Sequence, residues 1–268
     1  MNLQEKNWQN LFGNYTEEGT TWHALTTVYA LDLAVIRSYK FTRKFSANRD
    51  RSIIYHHNTY YFSEDNNKKQ SWQLEKEKCN QSDGVFHPES ENMRAIDFGN
   101  NTSIWVCKIL KDNQNFGSEV FFKDNDWRFG IIPIYQNGSF ASFVIIKENK
   151  NYFPETLDQD LITDLSGTWQ IKQTHLTPTL QENLTENTVN GIELNFVDED
   201  LKTYYLPEKI VLQLPQAIAL GQAFTIIVGR QVADHLFMQI TSDYDSNGQL
   251  KALISSEFTR VRGSESPS

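Results

Sequence analysis

Residues 34–45 read AVIRSYKFTRKF. Taken with period two, one row is Val35, Arg37, Tyr39, Phe41, Arg43 and Phe45, and the other is Ile36, Ser38, Lys40, Thr42 and Lys44. Alternate side chains of a β-strand point to opposite faces, so the aromatic row faces an interior and the Ser/Lys/Thr row faces water. Two arginines then sit on a buried, mostly aromatic face. An unpaired guanidinium is costly away from water, so Arg37 and Arg43 must meet carboxylates, backbone carbonyls, water or an anionic ligand. Such a strand predicts a barrel with a polar handle in its lumen.

The neighbouring sequence has the same character. Residues 1–12 suit a short helix with Trp8, Leu11 and Phe12 on one side, and Gly13-Asn14-Tyr15 is expected to open the first strand. Strand-like runs follow at 21–29, 52–62, 71–74, 93–98, 102–110, 119–122, 127–135 and 140–147, set apart by Gly, Asn and Asp. Asn137-Gly138 between two apolar runs is the favoured pair for a two-residue hairpin turn. Residues 151–166 read as a linker. A second half starts at Gly167-Thr168-Trp169, with strands expected at 167–176, 191–197, 202–206, 209–214, 223–228, 235–242 and 250–261. Each half opens on Gly-x-aromatic and closes on a tyrosine, a spacer, Asn-Gly and a last strand, which reads as two related β-domains, 1–150 and 167–262. Residues 263–268 are expected to be a disordered tail. The fold class is all-β.

With 268 residues, a net charge of -9 and a pI near 5.2, nucleic acid and anionic membranes are not default partners. No apolar run approaches the about 20 residues of a membrane-spanning helix, and the N-terminus lacks an apolar signal core; a cytoplasmic location is expected. Cys79 and Cys107 match no metal or redox spacing and read as reduced thiols.

Gly167-Thr168-Trp169, with Arg260 or Arg262 on the last strand, is similar to the closing signature of lipocalins and their calycin relatives. A closer resemblance is to the cyanobacterial-type calycin-like family of unknown function with two tandem β-barrels. It rests on Trp8-x-x-Leu11 through Gly13, on TRKF at 42–45, on IIPIYQNGSFASFVIIKE at 131–148, on GQAFTIIVG at 221–229 and on Tyr244 through SEFTRV at 256–261. The resemblance implies two calycin-like barrels and a small hydrophobic ligand. It also implies a tryptophan that plugs each barrel, a role open in the first half to Tyr15 or Trp22. Similar proteins of specialised metabolism, the scytonemin-pathway cyclase among them, use such a cavity to close a substrate.

The candidate catalytic residues are Arg37, Arg43, His57 and Tyr39. The arginines would clamp a carboxylate or enolate, for which the planar guanidinium fork is well shaped. A histidine or tyrosine would move protons. His56 and His57 are adjacent on a strand, so they point to opposite faces and cannot chelate one metal; which one faces inward is open. Candidate ligand-binding residues are Tyr55, His56, Trp72, Asp97, Trp105 and Tyr135, with Asp97 the best internal partner for an arginine. For the arginines and histidines the commoner outcome is structural, a salt bridge or a hydrogen-bonded core residue.

No nucleophile triad, P-loop or metal motif is visible. The expectation is therefore a barrel that binds a small aromatic metabolite with an acidic group, leaning towards a cofactor-independent enzyme of cyclase or lyase type without a metal. A non-catalytic carrier or chromophore-binding protein is the alternative. A single-stranded nucleic-acid binder, built on the interleaved cations and rings of 37–51, comes third and is opposed by the negative charge. A homodimer is left open.

Overall fold

A computed structural model of the chain describes residues 2–63, 66–112, 114–162, 164–192 and 201–261. A helix, α1 (Leu3–Phe12), is capped by Asn2, whose side chain accepts from the Glu5 amide at 2.7 Å. Eleven strands follow in the first half: β1 (Thr20–Tyr29), β2 (Val35–Ala47), β3 (Ile53–Ser63), β4 (Asn66–Glu75), β5 (Asn80–Gln81), β6 (Gly84–His87), β7 (Ser90–Asp97), β8 (Thr102–Cys107), β9 (Phe116–Asp124), β10 (Trp127–Gln136) and β11 (Ser139–Asn149). They form one antiparallel sheet in the order β4-β3-β2-β1-β11-β10-β9-β8-β7-β6-β5. The sheet curls until its ends meet, with Trp72 of β4 edge-on to His87 of β6 at 5.5 Å. It is a nearly closed barrel.

One end of this barrel is sealed. Trp8 and Phe12 of α1 pack on Phe45, Ile54, Leu74, Val85 and Ala95, while Asn7 donates to the Ala95 carbonyl at 3.1 Å and Gln4 to that of Asn80. The hairpins β1–β2, β3–β4 and β10–β11 lie at the other end. In the last of these Asn137 and Gly138 have φ of 51° and 79°, the left-handed pair the sequence predicts.

The second half contributes β12 (Thr168–Leu176), β13 (Glu182–Asn190), β14 (Leu201–Leu206), β15 (Ile210–Pro215), β16 (Phe224–Ala233), β17 (Leu236–Tyr244) and β18 (Leu250–Arg260), in the order β13-β12-β18-β17-β16-β15-β14. Trp169 is fully buried, its indole N–H donates to the Leu165 carbonyl at 3.1 Å, and the Arg260 guanidinium lies 4.7 Å from its ring centre. The first half has the same pairing: Arg128 lies 4.5 Å from the ring of buried Trp22, whereas Tyr15 is half-buried and stacks on Phe45.

The two sheets share a core. Tyr29, Phe116, Phe129, Ile131 and Phe143 from outside the barrel pack with Leu212, Phe224, Val228, Ile240 and Tyr244. This is why most positions of β1, β10 and β11 are buried: the lumen covers one face and the second sheet the other. Residues 151–162 and 164–167 carry no strand, yet Leu157 and Leu165 are buried.

Several sequence expectations are corrected. The first strand starts at Thr20, with Gly13 to Tyr15 ahead of it, because Gly13 caps α1 through its N–H to the Gln9 carbonyl. The polar segment ENLTENTVN forms β13, an outer strand whose one ladder partner, β12, supplies the pattern its composition lacks. The strand expected at 191–197 lies mostly outside the described residues, as do Arg262 and residues 263–268.

Candidate functional site

The lumen row of β2 is the aromatic one, as its alternation predicts: Phe41, Arg43 and Phe45 are buried. Arg37 is the exception. β3 pairs with β2 only as far as Lys40↔Tyr61 and ends at Ser63, so Val35 to Arg37 project past the β3–β4 hairpin. Arg37 is therefore exposed at the rim, with its guanidinium 5.7 Å from the Tyr39 ring.

Register with β2 also fixes the histidines. Paired residues of antiparallel strands share a face. Phe45 pairs with His56 and Lys44 with His57, so His56 enters the lumen and His57 faces out, bonded to Ser71 Oγ at 2.8 Å. His57 is thus not in the cavity, and Tyr55, in the same outer row, is not either.

A cavity of about 390 Å³ opens between the rim and Arg43. Tyr39, Phe41, Tyr60, Trp72 and Trp105 form its walls, and His56, Asn58, His87 and Glu119 supply polar groups. His56 is sandwiched by Phe45 at 4.3 Å and Trp72 at 4.7 Å between ring centres. Its Nε2 bonds Asn58 Oδ1 at 3.0 Å, and Asn58 Nδ2 donates to the Tyr60 hydroxyl at 3.1 Å. An amide oxygen only accepts, so this assignment puts the proton on Nε2 and leaves Nδ1 as the acceptor. Burial, with the nearby Arg43 charge, pushes the His56 pKa well below its usual value, and burial also lowers that of His87. Burial raises the Tyr39 pKa.

At the floor of the cavity, Arg43 Nη2 donates to Glu119 Oε1 at 3.0 Å and Arg43 Nε lies 3.5 Å from Glu148 Oε1. Glu148 is fully buried and also takes Arg128 at 2.5 Å. Burial works against the charge on Arg43, but the two carboxylates outweigh it and its pKa is raised. The result is a four-membered ionic floor, Arg43, Arg128, Glu119 and Glu148, with equal numbers of opposite charges. Beyond it, towards α1, lies a small space of about 40 Å³.

Besides Tyr55, two expected binding residues lie elsewhere. Asp97, at the sealed end, pairs with Lys123 at 3.0 Å and accepts from the Gly99 amide, so it partners no arginine. Tyr135 is fully buried in the shared core and donates to the Pro215 carbonyl at 2.8 Å. The cavity therefore unites Arg43, Tyr39, His56, Trp72 and Trp105 from the sequence candidates, and adds Glu119, His87, Asn58 and Tyr60. Phe41 and Phe45, being buried, are unavailable as a surface stacking platform for bases.

Residues 4–153, the sealing helix and all eleven barrel strands, match the family described as domain of unknown function DUF3598, N-terminal. The chain belongs to the DUF3598 family. A DUF3598 protein of unknown function from Nostoc punctiforme is 13% identical, with 95% of this chain and 99% of that one covered and a TM-score of 0.73, so both sheets recur there. A putative AttH from Nitrosomonas europaea aligns at 6% identity over 92% of this chain and 93% of its own, with a TM-score of 0.22, too low to compare folds. No curated protein matches. Among the described residues of this DUF3598 protein, no helix is long and apolar enough to cross a membrane.

Proposed function

We propose that the lumen of the first barrel binds a small, largely aromatic metabolite. The observation that carries this reading is the cavity of about 390 Å³ in which five aromatic walls meet a few convergent polar side chains. Small-molecule sites have this composition and a volume of about 300–1,000 Å³. The motif likeness to lipocalin-type barrels points the same way. Native mass spectrometry of protein purified from its own host tests it: a small molecule should co-purify with the wild type and be lost from Trp72→Ala.

A second reading makes the cavity catalytic. Tyr39, His56, His87 and Glu119 face one space, and they are side chains of the kind that act as general acids and bases. Such a set suits acid/base-assisted ring closure of a folded substrate, the chemistry suggested by the likeness to the scytonemin-pathway cyclase. Turnover separates the readings. A carrier returns its ligand unchanged, whereas an enzyme loses conversion, and keeps affinity, in His56→Gln.

A further inference from the structure

Two arginines on an interior aromatic face call for an anionic ligand only if their charge is unanswered. Arg37 is outside, and Arg43 is answered twice, by Glu119 and by Glu148. The remaining charged residues lining the cavity are carboxylates, Glu119 at the floor and Glu89 at the mouth. His56 and His87 add no positive charge near neutral pH, since burial lowers both. A carboxylate ligand entering this space meets like charge, and its one counter-ion is already engaged.

One unengaged oxygen points the other way. Glu119 uses Oε1 for Arg43, and no described residue donates to its Oε2. The Glu119 side chain is 18% exposed and lines the cavity, so this oxygen is open to a ligand.

We infer that the ligand of this cavity is an uncharged aromatic ring system carrying a phenolic O–H or ring N–H, which donates to Glu119, and that Glu119 excludes carboxylates. This rests on the lumen being the ligand site. It removes the acidic group that the sequence alone suggests, because the pairing of Arg43 decides the matter and the partners come from β9 and β11, distant in sequence.

The test is calorimetric titration at neutral pH with three probes of one shape: β-naphthol, β-naphthoate and β-methylnaphthalene. Wild-type protein should bind β-naphthol about tenfold or more tightly than β-naphthoate, with β-methylnaphthalene between them. In Glu119→Gln the preference should shrink or reverse, since the substitution removes the repulsion and one of the two counter-ions of Arg43. Wild-type protein that binds β-naphthoate as tightly as β-naphthol, or more so, overturns the inference and leaves the cavity as a ligand site. An unchanged ratio in Glu119→Gln overturns the role of Glu119. Binding of none of the three overturns the lumen reading and this inference with it.

Discussion

Arg43 and Arg37 share one strand row and have opposite fates. Removing one partner of a buried ion pair strands the other charge, at a cost of about 3–5 kcal/mol. Arg43→Met leaves Glu119 and Glu148 facing one arginine fewer, so urea denaturation should show a loss of that size. Arg37→Ala, at the exposed rim, should change stability by less than about 0.5 kcal/mol in the same experiment. His56 adds a pH dependence. Its folded pKa lies well below the 6.5 of a free imidazole, so below that pH the unfolded chain takes up a proton that the folded chain refuses. Stability should therefore fall as pH drops below about 6.5, and His56→Gln should flatten that part of the profile. Denaturation midpoints measured across neutral to mildly acidic pH check the sign.

Among the elements, β2 was legible because its two rows differ sharply in chemistry. β3 was not: both of its rows are half aromatic, and only pairing with β2 across the loop 48–52 selects His56 over His57. The same strand shows where alternation stops being informative. A row faces a lumen only where a neighbour flanks it on each side, and the length of the β3–β4 hairpin, not the sequence of β2, leaves Arg37 outside. Asp97 misled for a related reason. It lies in an apolar strand and is buried, as read, but its partner is Lys123, two positions past Phe121 on β9, a contact that strand order creates. The helix was legible from Trp8 and Phe12, and these residues seal the barrel. Trp8→Ala should cost about 3–5 kcal/mol, read as a lowered denaturation midpoint, because the emptied space lies under a closed sheet that cannot collapse into it.

At the scale of the whole molecule, the sequence shows two halves of similar plan and the structure shows one packed body. Tyr135 reaches the Pro215 carbonyl, Tyr244 reaches the Cys107 carbonyl at 2.7 Å, and Lys147 bonds Glu208 at 2.8 Å between the halves. Arg230, 3.6 Å from the Phe129 ring centre, has its pKa lowered to about 10 by burial, partly offset by Glu208. With a common apolar core, the halves should unfold in one transition. Hydrogen exchange should give the amides of β11 and β16 the same opening free energy, and Tyr135→Phe should lower both together by about 1 kcal/mol. The second sheet covers the outside of the barrel and leaves the cavity of the lumen free of it.

The indole N–H signals of the six tryptophans report on all these regions at once. Titrating the protein with β-naphthol while recording them should move Trp72 and Trp105, which line the cavity, and leave Trp8 and Trp169, which plug the sealed end and the second sheet, unmoved. Shifts confined to Trp127 and Trp169, with Trp72 and Trp105 silent, would contradict a ligand site in the first barrel.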